Sequence, residues 1–487
     1  MILNCEQMRA AEERAFKRGV SANALMESAG EQIAALVMQF HSYAGLCVAY
    51  CGKGHNAGDA LVACRLLREA GWEIAIRLVY PQEELAALTA QKLDVLGEVP
   101  LADPDDQPSV ILDGILGIGA KGALREPVAS AVTELNQLRK SSGALTVAID
   151  LPTGLDSETG IPSQPAVEAD LTAAIAFAKT CLLADTAINN VGRLAVLPLA
   201  ELTGESEDPA EVATPSWLAD CLVRRPFDTH KGMSGRVGII AGSRGFPGAA
   251  RLCSAAAVRG GSGLATLYVL EEDYAVLAGA CHPEVMVKPV SSYREILDDH
   301  LDALAIGPGL GFAHSGDILS LIRHAPLPVV VDADALTILS KDISLLKHCA
   351  GPRLLTPHPG EMERLAPRAE KSRREWAEDF VSKYPVTLLL KGARTIIAEK
   401  NSPVVFNTTG HPGMATGGMG DVLTGICGAL LAQGYSTRHT AVLGAWLCGH
   451  AAECAVNYGS QSAESLAASD LFEMLGESFT DLRQRCY

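Results

Sequence analysis

The sequence predicts an α/β protein of two Rossmann-like domains, each built on a mostly parallel sheet. Three observations carry this prediction. Short apolar runs alternate with longer segments whose apolar residues recur at helical spacing, the pattern of βαβ units. Several of these runs end in aspartate or in a glycine-rich stretch, where parallel sheets place their binding loops. The chain has 487 residues, 48% apolar but only 5% aromatic, which suits more than one core of small side chains packed on sheets.

Taken in order, Met8, Ala11 and Ala15, and later Leu25, Met26, Ala29, Ile33, Leu36 and Val37, recur at helical spacing. Strands are expected at 46–51, 73–80, 109–116, 145–150 and 171–178. The segment 201–215, ELTGESEDPAEVATP, is acidic, carries two prolines and lacks apolar periodicity, so it reads as a connection. We assign 1–205 to the first domain, 206–216 to a linker and 217–487 to the second domain. The second series of strands is expected at 236–242, 264–270, 303–309, 328–336, 353–358 and 386–392, with a Gly/Ala-rich helix within 242–266.

The net charge of −17 makes sequence-independent binding to nucleic acid a poor prospect, although local amides still bind a nucleotide's phosphates. The N-terminus has no apolar signal core, and no apolar run reaches the roughly 18 residues of a membrane span. A cytoplasmic protein with no membrane partner is expected. The 13 cysteines include no CxxC pair and mostly sit in apolar runs, so they read as reduced core thiols, and a zinc site is not expected.

In the first half, CGKGHNAGDA (51–60) places a glycine-rich turn between a strand and a helix. Asn56 and Asp59 add oxygen donors beside it. Two further strands end in aspartate: Asp113 precedes the loop Gly117–Ala123, and Asp150 stands just ahead of Thr153. Each aspartate alone reads as a turn former. Together, Asn56, Asp113, Asp150 and Thr153 at strand ends define a pocket of hard oxygen donors suited to an alkali or alkaline-earth cation. His55 is either a ligand contact or a solvated loop residue.

In the second half, GGMGDVLTGICGAL (417–430) leads three glycines and Asp421 into an apolar helix, a ready anion site. GFPGAA (245–250), IGPGLG (306–311), TPHPGE (356–361) and KGART (391–395) lie on predicted strand ends or loops. Lys391 would reach phosphates from a flap between two strands.

These ordered segments, with KGMSGRVGIIAGS and VDADAL, resemble the ribokinase-like NAD(P)H-hydrate dehydratase family over 231–421. GKGHNAGD, DGILGIGAKG and DLPTGLD are similar to the NAD(P)H-hydrate epimerase domain, a three-layer α/β/α fold. Together the resemblances cover essentially the whole chain.

The resemblance implies repair of NADH and NADPH hydrated at C6 of the nicotinamide ring (NADHX and NADPHX). The first domain would interconvert R and S hydrates; the second would dehydrate the S form with ADP and Mg2+. It implies hydrate contacts at His55, Asn56, Ala57, Gly58, Asp59, Gly117, Ile118, Gly119, Ala120, Lys121, Gly122, Ala123 and Asp150. A K+ ion would be held by Asn56, Asp113 and Thr153. In the second domain it places hydrate against Ala250, Gly309, His358 and Asp421, and nucleotide against Lys391, Gly392, Ala393, Arg394, Thr395 and Gly420. Asp150 and Asp421 are the proton-handling candidates, and a homo-oligomer is implied.

The family's first loop commonly reads Asn-Asn-Gly-Gly-Asp-Gly, whereas residues 55–60 here read HNAGDA. A positive φ at Ala57 or Ala60 would strain it. Two other readings compete: a small-molecule kinase of the same fold, and a first domain that only senses or scaffolds nucleotides.

Overall fold

The computed structural model describes residues 1–487 apart from Pro104, Ala120 and Lys121, so the expected contacts of Ala120 and Lys121 lie outside the described residues. The chain divides into two compact units, Met1–Thr214 with Tyr487, and Pro215–Cys486.

In the first unit, helices Cys5–Lys17 and Ala22–Phe40 follow a short strand β1 (Ile2–Leu3). Strands β2 (Leu46–Cys51), β3 (Glu73–Leu78), β4 (Val110–Gly114), β5 (Leu145–Ile149), β6 (Leu171–Ile175) and β8 (Arg193–Leu197) form a parallel sheet in the order β3-β2-β4-β5-β6-β8. The order reverses between β2 and β4, so the crevice beyond their carboxyl ends is the natural ligand position. The helix His55–Glu69 leaves β2 there, and its buried Ala57, Leu61, Cys64 and Leu67 pack on the sheet.

The expected strand 171–178 is two strands, β6 and β7 (Ala178–Lys179), because Ala176 takes φ +61° and breaks the ladder. β7 pairs with β1 instead. The strand β8 is an addition to the sequence reading. Within the segment read as a linker, Glu211–Val212 forms a short strand, β9, and Ala210, Val212 and Ala213 are buried.

In the second unit, β10 (Arg236–Ile240), β11 (Leu264–Leu270), β12 (Met286–Val290), β13 (Ala303–Ile306), β14 (Val329–Val331), β15 (Arg353–Leu355) and β16 (Thr387–Leu390) pair in parallel in the order β12-β11-β10-β13-β14-β15-β16. β17 (Ile396–Glu399) and β18 (Val405–Phe406) extend the sheet antiparallel. The sequence reading omits β12, whose Lys288 and Pro289 interrupt its apolar pattern; a proline is tolerated on such an outer strand. The expected strand 328–336 stops at Val331, because Asp332 opens the helix Ala333–Leu339.

The helix Met419–Ala432 is apolar on all sides and buried almost throughout. It packs on the helix Pro247–Arg259, where a Cβ on Gly425 would stand 2.1 Å from the Cys253 carbonyl oxygen. Only glycine permits that close approach of the two helices. Among the described residues, no helix is long and apolar enough to cross a membrane.

Candidate active sites

At the β2/β4 crevice, Asp113 is fully buried at the end of β4. Its Oδ1 accepts from Thr153 Oγ1 at 2.7 Å and from the Ile115 amide at 3.2 Å, while Oδ2 accepts from the Thr153 amide at 2.7 Å. Burial outweighs these donors and pushes the Asp113 pKa up to about 6. Asn56 donates from Nδ2 to the Leu116 carbonyl at 3.0 Å, leaving its own carbonyl oxygen beside Gly117. Asn56, Asp113 and Thr153 therefore stand together, and their all-oxygen donor set fits a hard monovalent cation.

The residues of HNAGDA begin the helix His55–Glu69, and neither Ala57 nor Ala60 has positive φ. The expected strain is absent because a helical turn, not a left-handed loop, occupies these positions. His55 is exposed at the helix start. The Ile118 carbonyl accepts a hydrogen bond from Arg9 Nη2 at 2.8 Å, which ties Ile118 to the first helix.

Asp150 follows β5 with φ +66°, a conformation costing a non-glycine residue about 1–3 kcal/mol. The structure holds it there: its amide donates to Ala173 at 2.9 Å, and Oδ1 accepts from the Ile175 amide at 3.1 Å and from Lys179 Nζ. Lys179 is completely buried and also donates to the Ile175 carbonyl at 2.8 Å. Around this pair, Asp59 and Glu12 have raised pKa values, chiefly through burial and then through the charge of Asp150, with Lys179 opposing. Lys179 and Glu12 were absent from the sequence reading. A lysine in the apolar run LTAAIAFAK was the available signal.

In the second unit, Gly309 takes φ +59° in the loop after β13, and its carbonyl accepts from Ser243 Oγ at 2.8 Å. Ala250 is buried in the helix below, against Gly242. His358 caps the helix Pro359–Leu365: Nδ1 accepts from the Gly360 amide at 3.0 Å, and Glu361 Oε2 accepts from the His358 amide at 2.8 Å. Half of the His358 side chain is exposed.

Residues 391–395 connect β16 to β17 as a hairpin turn. Ala393 accepts from Arg373 Nη1 at 2.6 Å, Thr395 Oγ1 donates to the Gly392 carbonyl at 3.0 Å, and buried Arg394 has φ +56°. Lys391 Nζ donates to Asp332 Oδ1 at 2.8 Å and lies 3.8 Å from Glu361 Oε2. Burial pulls the Lys391 pKa down, but Asp332, Glu361 and Asp421 outweigh it and the net shift is upward.

Gly418 opens the helix Met419–Ala432 at φ +93°, and no described side chain caps its first turn, which leaves those amides for an anion. A Cβ on Gly420 would lie 3.2 Å from Lys391 Nζ, so turn and lysine share one position. Burial first, then Asp332 and Asp334, push the Asp421 pKa up to about 7 against the pull of Lys391. Asp332 and Glu361 were also missing from the expected site residues, although Asp332 carries the same strand-end signal as Asp113.

Fold and sites together define a two-domain α/β enzyme, with buried or half-buried carboxylates gathered at the carboxyl ends of both sheets. The family described as NAD(P)H-hydrate dehydratase matches residues 237–475, and that described as YjeF-related protein N-terminus matches 22–181. The bifunctional NAD(P)H-hydrate repair enzyme of Moorella thermoacetica is 36% identical over 88% of this chain and 86% of its own. That of Escherichia coli is 33% identical over 95% of this chain and 90% of its own. A solved Bacillus subtilis ADP/ATP-dependent NAD(P)H-hydrate dehydratase, co-crystallized with ATP/Mg2+, is 28% identical, with TM-score 0.49, covering 56% of this chain and 99% of that one.

The chain belongs to the bifunctional NAD(P)H-hydrate repair enzyme family. It carries an epimerase and a dehydratase domain, and repair of hydrated NAD(P)H is favoured over the kinase reading.

Proposed function

We propose that the second unit dehydrates the S hydrate by phosphorylating its C6 hydroxyl with the β-phosphate of ADP, with Asp421 as the base. The observation that carries this is the position of Asp421 in the first turn of an uncapped helix, beside Lys391, with a pKa of about 7. Asp421 takes the hydroxyl proton as the oxygen attacks phosphorus and AMP leaves. Amides of Gly418 to Gly420 and the Lys391 ammonium stabilise the charge on the transferring group. The ring nitrogen lone pair then expels phosphate, and loss of a C5 proton restores the dihydropyridine.

The nucleotide lies along Lys391, Gly392, Ala393, Arg394, Thr395 and Gly420 in this reading, and the hydrate against Ala250, Gly309 and His358. The carboxylates of Asp332, Glu361 and Asp421 are hard donors that suit Mg2+, which screens phosphate charge when bound with ADP.

In the first unit, Asp150 handles the proton of the C6 hydroxyl, with Lys179 holding its carboxylate in place. The hydrate lies over 55–59 and the Gly117–Ala123 loop. Asn56, Asp113 and Thr153 would hold K+, which supplies fixed positive charge beside that loop. A cytoplasmic location and homo-oligomeric assembly belong to the same reading.

The test is recovery of NADH absorbance from a mixed R/S hydrate preparation with ADP, Mg2+ and K+. Full recovery establishes both activities. Recovery of the S fraction alone refutes the epimerase assignment. No recovery with ADP or ATP, with a phosphorylated small molecule formed instead, returns the kinase.

A further inference from the structure

Away from both sites, the helices Thr437–Asn457 and Leu471–Gln484 bury a mixed nitrogen, sulfur and oxygen cluster that the repair chemistry does not use. His450 is 2% exposed, and Cys454 lies one turn further along the same helix face. Asp481 projects from the facing helix. His450 Nε2 lies 2.9 Å from Asp481 Oδ2, and Cys454 Sγ lies 3.9 Å from the same oxygen. The three donor atoms all fall within 4.8 Å of one another.

We propose that His450, Cys454 and Asp481 form a structural site for a zinc-like divalent metal ion, with Glu453 as the carboxylate that orients the histidine. Three arguments support it. The donor set combines imidazole, thiolate and carboxylate, which favours Zn2+ over Mg2+ or Ca2+. Tetrahedral zinc separates such donors by about 3.3–3.6 Å, so these side chains reach it by shifts of roughly 1 Å. His450 Nδ1 faces Glu453 Oε2 at 3.1 Å, the arrangement in which a metal-bound histidine donates its second ring N–H to a carboxylate.

Both ring nitrogens of His450 face carboxylate oxygens, Nδ1 toward Glu453 and Nε2 toward Asp481. Trp446 lies against the ring with centroids 4.6 Å apart and shields it from water.

The site joins two helices to the nucleotide side of the unit. Glu453 Oε1 also accepts from the Gly410 amide at 2.7 Å, in the loop that leads to Gly418. A metal that fixes Glu453 therefore steadies that loop.

The test uses the tag-free full chain, stripped with a chelator and titrated with Co2+ alone. The expected result is saturable uptake of one equivalent, with a near-ultraviolet thiolate-to-cobalt band and visible bands of tetrahedral cobalt. Zn2+ bleaches these bands and raises the melting temperature, whereas Mg2+ does neither. Cys454→Ser abolishes the thiolate band while dehydration of the S hydrate with ADP continues. Glu453→Gln weakens Co2+ binding about 10–100-fold. Absence of a saturable band in the wild-type chain, or its persistence in Cys454→Ser, overturns the site. Neither result bears on the repair reaction.

Discussion

Lys391 donates to Asp332 at 2.8 Å, which ties the end of β16 to the end of β14 across the intervening β15. The second oxygen of Asp332 accepts from Thr424 Oγ1 at 2.7 Å, so the ion pair also locks the sheet to the helix that carries Asp421. Asp332 raises the Asp421 pKa and Lys391 lowers it. Replacing Asp332 with Asn leaves Lys391 free to act on Asp421. The expected outcome is an acid limb of S-hydrate dehydration that moves below its wild-type position near 7. A pH–rate profile checks this; an unmoved limb means that another group sets it.

Asp421→Asn separates catalysis from stability. Loss of a positioned base typically costs about 10²–10⁴ in rate. Dehydration of the S hydrate falls by that order, while interconversion of the R and S forms continues. The folded pKa of Asp421 lies above its ordinary value of 3.8. The ionised form therefore costs stability, a cost absent below the ordinary value and complete above about 7. Asn removes the charge, so the melting temperature in mildly alkaline buffer stays equal or rises. A lower melting temperature contradicts this account of the shift.

The sheets and the strand-end loops were legible because glycine, aspartate and buried runs fall in a fixed order along βαβ units. Strand-end logic grouped Asn56, Asp113, Asp150 and Thr153; the structure joins Asp113 to Thr153 directly and Asn56 to Thr153 through Leu116. Lys179 was not legible. Its ammonium is buried only because Asp150 stands 29 positions away with a matching charge, a pairing that no local pattern encodes. The same holds for His450, Cys454 and Asp481, whose helical spacing reads as core packing until a second helix supplies the carboxylate. The helix after β14 was misread because VVVDADAL continues an apolar pattern through Asp332, whose carboxylate turns to Lys391 and Thr424 and does not cap the helix.

Potassium at Asn56, Asp113 and Thr153 should be linked to pH. Asp113 holds a proton up to about 6, well above an ordinary carboxylate. The protonated acid offers the cation less charge, so binding competes with the proton. K+ should stabilise the first unit well above that pH and lose its effect well below it. Thermal melts with K+ at several pH values check this against choline chloride of equal ionic strength. A K+ effect independent of pH excludes Asp113 as the ligand.

Lys179 and Asp150 invite a double-mutant cycle. Lys179→Met leaves the Asp150 carboxylate buried at 7% exposure with its charge partner gone. Breaking one side of a buried pair costs about 3–5 kcal/mol, so the melting transition of the first unit should fall sharply. Adding Asp150→Asn removes the orphaned charge and should restore much of that stability. Epimerisation should not return, because the proton-handling carboxylate is gone. S-hydrate dehydration should persist in every variant, measured with ADP and purified S hydrate. If the stabilised double variant epimerises, Asp150 is not the proton carrier. If Asp150→Asn alone depresses both activities equally, its role is to support the fold and not the reaction.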